Sequence, residues 1–248
     1  MLSDRQQHCL KGIGIRRCEV LPLAIAVPES EPRVKANPVI AKVAEAAPPT
    51  PEKPALRKPV IDVPLENWDA IMRSIQQCEA CELVQNCTQK VPGIGNQQAD
   101  LMIVGEGPGH DEDIRGEPFV GRSGQLLDKM LEAIGISRSQ VFITNIVKCR
   151  PPNNRDPHVD EVASCRRYLQ AQIEQIKPKV ILSVGRVSAH SLLGTTEPVG
   201  RLITSLHQLP GSDIPVKVTY HPAYLLRTPT AKAIAWQDMK TVFRMLQA

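Results

Sequence analysis

The stretch that most constrains this chain is GEGPGHDEDIRGEPFVGRSGQLL, residues 105–127. It follows the apolar run Leu101-Met102-Ile103-Val104, too short for a helix and without polar alternation, which predicts a buried strand. It runs into Leu126, Leu127, Met130, Leu131 and Ile134, spaced as one face of a helix. The segment therefore joins a strand to a helix. Six glycines (105, 107, 109, 116, 121 and 124) and two prolines (108 and 118) imply a shaped backbone that a ligand can approach closely. Phe119 is one of only three phenylalanines in the chain, and a lone aromatic in such a loop is a candidate stacking platform. The ordinary alternative is a glycine-rich surface loop with Phe119 folded into the core.

Around this loop the pattern alternates. Trp68, Ile71, Met72 and Ile75 predict a helix that runs directly into Cys78-Glu79-Ala80-Cys81. Val141 to Asn145 predict a second strand, Pro151 to Pro157 a loop and Val162 to Ile176 a helix. Val180 to Val184 form a third strand, with a helix through Leu192 and Leu193; Val216 to Tyr220 form a fourth, ending at His221; Ile234 to Leu246 close the chain as an amphipathic helix. Strand and helix in alternation predict an α/β fold, a three-layer α/β/α sandwich on a central, mostly parallel four-stranded sheet. Ligands of such sheets collect beyond the carboxyl ends of the strands. Glu106, Asn145 and His221 fall there on three different strands, which argues for one shared site.

Upstream, residues 1–20 form a short segment in which residues 3–15 have helical character but too few apolar positions to fold alone. Residues 21–65 hold ten of the 22 prolines and read as a flexible linker, leaving 66–248 as the folded domain. The first segment is either part of a spacer or an arm that binds a protein partner. The chain is 42% apolar, enough for one core of ordinary size, and nothing approaches the ~20 uninterrupted apolar residues of a membrane span. A monomer with no membrane association is the expectation. A net charge of +4 permits nucleic acid binding without demanding it. Seven cysteines, an odd number without an extracellular spacing pattern, point to a reducing cytoplasm.

Cys78 and Cys81 form a C-x2-C pair that can grip one metal centre, and Cys149 and Cys165 are separated by a loop and the start of a helix. Four thiolates suit zinc or a [4Fe-4S] cluster, and spacing does not separate the two. Cys87 is a fifth thiol, either a substitute ligand or a buried free cysteine.

Three ordered motifs, GEGPGHDEDIRGEPFVG at 105–121, TNIVKCRPP at 144–152 and HPAYLLR at 221–227, make the chain similar to the family 4 uracil-DNA glycosylases, the iron-sulfur branch of that superfamily. The resemblance covers roughly residues 66 to 248, and one departure is Gly107, where the family more often carries alanine. It implies uracil-containing DNA, single- or double-stranded, as substrate, and base excision repair as the process. It implies a [4Fe-4S] cluster held by Cys78, Cys81, Cys149 and Cys165. It also implies that Phe119 stacks on the flipped base, Asn145 pairs with the N3-H and O4 edge of uracil, and Gly105 and Gly107 shape the base pocket.

Cleavage of the N-glycosidic bond leaves negative charge on the departing base and positive charge on the sugar. His221 can donate to O2 of the base. Glu106 and Glu112 are the candidate catalytic carboxylates, to orient water or balance the sugar cation, while Asp113 caps local backbone amides. Leu225 or Leu226 is the candidate wedge into the gap left by the base, with Arg227 on a phosphate. Lys148, Arg150, Arg155, Arg166 and Arg186 are expected to flank a DNA channel. The competing readings are a non-enzymatic iron-sulfur protein that binds nucleic acid and a zinc-bound nucleotide-binding domain.

Overall fold

The computed structural model describes residues 67–247. The segment 1–20, where a helix over 3–15 is expected, and the linker 21–65 lie outside the described residues. Six strands form one sheet in the order β1-β3-β2-β4-β6-β5: β1 (Ile94–Gly95), β2 (Leu101–Gly105), β3 (Phe142–Asn145), β4 (Val180–Val184), β5 (Leu206–Gln208) and β6 (Pro215–Thr219). Among the described residues eight α-helices accompany them: α1 (Trp68–Gln76), α2 (His110–Arg115), α3 (Arg122–Ala133), α4 (Val159–Ile176), α5 (Arg186–Leu193), α6 (Val199–Leu202), α7 (Pro222–Arg227) and α8 (Lys232–Gln247).

The four strands read from the sequence are β2, β3, β4 and β6, and they pair in parallel. The sheet nevertheless has six strands rather than four, because β1 joins β3 and β5 joins β6, both antiparallel. These two are only two and three residues long, and neither carries a periodicity that a sequence window could register. β1 depends on Gly95, whose φ of +128° and approach to the Val141 carbonyl exclude any side chain: a Cβ there would stand 2.0 Å from that oxygen. Short edge strands of this kind end a sheet without offering a long unpaired ladder.

The central strands are buried on both faces, which is why their sequences read as unbroken apolar runs. Leu101, Ile103, Ile143, Leu182 and Val184 pack on one side with Leu127, Leu131, Leu225, Trp236, Met239 and Val242 of α3, α7 and α8. Met102, Val104, Phe142, Ile181 and Val216 face the other side, with Ile71, Ile75, Leu169, Ile173 and Leu192 of α1, α4 and α5. Trp68 meets Phe142 edge-on at 5.2 Å between ring centroids, anchoring α1 so that its end presents Cys78. Among the described residues, no helix is long and apolar enough to cross a membrane.

Candidate active site

The parallel register brings the ends of β2, β3, β4 and β6 together, and a cavity of about 440 Å³ opens beyond them. Glu106, Gly107, Pro108, Gly109, Glu112, Phe119, Asn145, His221 and Arg227 all line it. The sequence-derived site is thus assembled from residues as far apart in the chain as Glu106 and Arg227; its remaining members, Gly105, Leu225 and Leu226, are treated below.

The glycine loop contains a feature the sequence reading omitted, the short helix α2. Glu112 at its third position accepts from the N-cap amide of Gly109 (3.1 Å) and from the amides of Val120 (3.2 Å) and Gly121 (3.4 Å). Both carboxylate oxygens therefore serve the backbone on either side of Phe119. Glu112 organises the loop, whereas Glu106, the other candidate carboxylate, lines the cavity without a bond to the loop amides. Asp113 caps no local amide. It accepts instead from the backbone and hydroxyl of Thr88, both at 2.8 Å, and so ties the loop to the segment after Cys87.

Phe119 has φ +54°, a left-handed backbone rare for a bulky residue, and its carbonyl is packed so closely on Gly124 that a Cβ there would fall 1.8 Å from it. The ring is buried and stacks on His221, centroids 5.6 Å apart and planes inclined by 28°. It also covers Gly105, where a Cβ would meet Asn145 Oδ1 at 2.3 Å and Phe119 Cε2 at 2.7 Å. Gly105 thus makes room for the two groups expected to hold a base. At Gly107 a Cβ would come within 2.8 Å of Val147 Cγ2 and 3.5 Å of Pro151 Cδ, so here glycine lets the loop settle on Val147.

Asn145 is 2% exposed at the end of β3, and its carboxamide has no hydrogen-bond partner among the described residues. The amide borders the cavity with its bonding capacity open to whatever fills it. His221 caps α7, its Nδ1 accepting from the Ala223 amide at 3.1 Å. That bond leaves the proton on Nε2. Burial, reinforced by the positive charge of Arg227, pushes the imidazole down to about 4, so the ring is a neutral donor at physiological pH.

Glu106 accepts from the Val187 amide at 2.9 Å, at the N-terminus of α5. Burial raises its pKa, with Asp156 adding to the rise and the amide bond and Arg186 opposing it. The sequence reading missed Gly185, which sets this arrangement: its φ is +99°, and a Cβ would stand 2.5 Å from Glu106 Oε1 and 3.2 Å from His221 Cβ. A glycine between a predicted strand and helix, in SVGR, was the available signal.

Of the two leucines offered as a wedge, Leu225 is 1% exposed in the core beside Leu126, Met130, Trp236 and Met239, and is withdrawn as a DNA contact because reaching DNA would unpack that core. Leu226 is 36% exposed on the next position of α7, followed by the exposed Arg227 at the cavity rim. The basic residues also divide. Lys148 is fully buried, so it flanks no channel. Arg166 reaches the Ser191 carbonyl at 3.3 Å and lines a different cavity between α4 and α5. Arg155 grips Glu161 through two bonds (2.8 and 2.7 Å) at the cavity wall, Arg186 pairs with Asp156, and Arg150 spans Asn154 (2.7 Å) and His110 (3.1 Å).

Cys78, Cys81, Cys149 and Cys165 line one small apolar recess beneath Val147 and Lys148. Cys87 is not part of that lining; its thiol donates to the Val84 carbonyl at 3.7 Å and lies close enough to Cys149 to help raise it. Burial pushes the Cys165 thiol up to about 12 and also raises Cys81 and Cys149, with neighbouring cysteines adding to each rise. Thiols so disposed ionise only when a cationic centre joins them.

A family model for the uracil DNA glycosylase superfamily matches residues 92–240, a span that contains every residue lining the active-site cavity. The chain is 41% identical over 184 residues to a type-4 uracil-DNA glycosylase of Archaeoglobus fulgidus, covering 72% of this chain and 92% of that protein. Identity to a type-4 uracil-DNA glycosylase of Thermotoga maritima is 42% over 168 residues, 65% of this chain and 84% of the relative. A type-5 uracil-DNA glycosylase of Pyrobaculum aerophilum is more distant, at 29% over 150 residues, 54% of this chain and 66% of the relative. With these matches laid over a cavity built from the glycine loop, the strand-end asparagine and the terminal histidine, the chain belongs to the uracil-DNA glycosylase superfamily and, within it, to the type-4 branch.

Proposed function

We propose that this protein removes uracil from DNA by hydrolysing the N-glycosidic bond, leaving an abasic site for base excision repair. The observation that carries the reading is the convergence of Phe119, Asn145, His221 and Glu106, from three separate strand ends and the glycine loop, on one cavity of about 440 Å³. That volume lies in the range of small-molecule sites. Three of these groups are polar, and each keeps bonding capacity toward the cavity beyond the backbone contacts that fix it. A binding module would need none of the three.

In this proposal the deoxyuridine leaves the stack and its base lies against Phe119. The Asn145 carboxamide accepts from N3-H and donates to O4, a pattern that the amino group of cytosine reverses. As the bond to the sugar breaks, charge grows on O2, and the Nε2-H of His221 meets it. A neutral donor serves here, because no proton has to move for an anion to be stabilised. Glu106, fixed by the Val187 amide, faces the sugar side, where its negative charge offsets the oxocarbenium and can direct a water onto the anomeric carbon. Leu226 and Arg227 meet the DNA at the rim.

Cys78, Cys81, Cys149 and Cys165 would hold a [4Fe-4S] cluster. They share one apolar recess, and four thiolates are the ligand set such a cluster takes. When bound, such a cluster supplies structural bracing, linking the end of α1 to α4 and the loop after Asn145. Residues 1–20 with the linker 21–65 would tether a protein partner, while the catalytic domain acts as a cytoplasmic monomer. The test is incubation with a uracil-containing oligonucleotide and its thymine-matched twin, followed by alkali. Strand scission confined to the uracil strand is the expected result; an uncut uracil strand refutes the proposal.

A further inference from the structure

Lys148 lies between two cluster-forming segments and is 2% exposed, yet among the described residues no carboxylate is paired with it. Its three ammonium protons are all used: Nζ donates to Thr144 Oγ1 (2.6 Å), Gln172 Oε1 (2.8 Å) and the backbone carbonyl of Asn145 (2.9 Å). The acceptors are themselves fixed, since Thr144 Oγ1 and Gln172 Nε2 both donate to the Pro92 carbonyl at 2.8 Å. The Lys148 backbone is held as firmly, its amide reaching Cys165 Sγ at 3.3 Å and its carbonyl accepting from Val91 at 2.7 Å. An ammonium stripped of water is costly; the neighbouring Cys165 offsets part of that cost by its charge, and three neutral oxygens direct the ammonium. An apolar side chain would fill the same volume without making these bonds, so their geometry needs a reason.

The reason lies at its third acceptor. Asn145 closes β3, and its carboxamide, which no protein group holds, depends on its own backbone for direction. On the β2 side the register Gly105↔Asn145, extended by the Ile146 amide to the Gly105 carbonyl at 3.0 Å, fixes one edge of that peptide. Lys148 fixes the other. We propose that Lys148 is a positioning residue for base recognition: its buried ammonium locks the Asn145 peptide so that the carboxamide enters the cavity in one orientation. It touches no substrate and acts only through Asn145. The proposal rests on the reading of Asn145 as the group that recognises the base edge. It also makes the cysteine recess and the base site one hydrogen-bonded unit, because Lys148 bonds to Cys165 through its amide and to Asn145 through its side chain.

The experiment is a double-mutant cycle in the full chain with Lys148→Met and Asn145→Ala, each variant checked for iron content and melting temperature. Single-turnover excision of uracil and inhibition by free uracil are the readouts. Lys148→Met alone should slow excision by about tenfold or more, as a misdirected binding group does, and weaken inhibition by free uracil to a similar degree, with affinity for uracil-free DNA unchanged. In the Asn145→Ala background the same substitution should change the rate less than about twofold, because nothing remains for it to position. Equal losses in both backgrounds would overturn the proposal and leave Lys148 a general support of the fold. If Asn145→Ala by itself excises uracil at the wild-type rate, the base-edge reading fails first and the proposal with it, a result distinguishable by that single variant. Should Lys148→Met not fold, Thr144→Val removes one of the three acceptors at nearly constant volume; about a threefold loss that disappears with Asn145→Ala supports the positioning role, and a loss that persists refutes it.

Discussion

Gly105→Ala adds a single methyl at the point where the base-recognition groups meet. Nothing in the backbone forbids it, since Gly105 is a strand residue and its φ lies outside the positive range. The conflict is with side chains: the new Cβ would stand 2.3 Å from Asn145 Oδ1 and 2.7 and 2.8 Å from two carbons of the Phe119 ring, whereas ordinary contact begins near 3.4 Å. Asn145 or Phe119 must retreat by about 1 Å, and a displacement of that size at a binding group costs on the order of 10² in rate. Phe119 has little freedom to give way, held at φ +54° with its carbonyl against Gly124 and its ring on His221. Overpacking of this kind also costs about 1–3 kcal/mol of stability. The assay is single-turnover excision from a uracil oligonucleotide with enzyme in excess, alongside thermal melting. A folded Gly105→Ala protein that excises at the wild-type rate would show that Asn145 and Phe119 do not close on Gly105 in the competent state, and the reasoning would fall with it.

Four further outcomes are expected. His221→Ala should lower the single-turnover rate by ~10²–10³, the cost of one donor to a developing anion, with DNA binding measured at fixed salt unchanged. The depressed pKa of His221 fixes a sign: the unfolded chain takes up this proton near 6.5 and the folded one only near 4, so its contribution is present above 6.5 and is lost as pH falls toward 4. At about 1.4 kcal/mol per unit it is worth at most about 3 kcal/mol, read from melting curves of wild type and His221→Ala between pH 7 and 4. Leu225→Ala should destabilise by about 2–5 kcal/mol through a core cavity, whereas Leu226→Ala should leave the melting temperature in place and slow excision from duplex DNA; the reverse pattern in melting and kinetics would reassign α7. Cys78→Ser or Cys149→Ser should lower visible absorbance, iron content and soluble yield together, because metal binding and folding are coupled. Full iron content in the double variant would instead bring Cys87 into the ligand set.

The sequence by itself determined the four parallel strands, the helices α1, α3, α4, α5 and α8 and the strand-end positions of Glu106, Asn145 and His221. Those strands are buried on both faces, so each reads as an apolar run, and chain connectivity then dictates that their carboxyl ends share an edge. Cys78 and Cys81 were equally visible, since C-x2-C is a local pattern, whereas Cys149 and Cys165 were joined to them by the family resemblance and share their recess only in the fold. What only the tertiary structure decided are matters of side-chain direction and of pairing across long separations. The two edge strands are too short to carry periodicity and exist because β3 and β6 offer them a partner. Glu106 and Glu112 look alike in sequence; three backbone amides claim one, and the N-terminus of α5, about eighty residues away, holds the other. Leu225 and Leu226 are neighbours with the same side chain, and the rotation of α7 alone sends the first into the core and the second to solvent. Lys148 reads as a surface charge because its acceptors, Thr144, Gln172 and the Asn145 carbonyl, come from β3 and α4, and no local pattern announces that three neutral oxygens will enclose an ammonium.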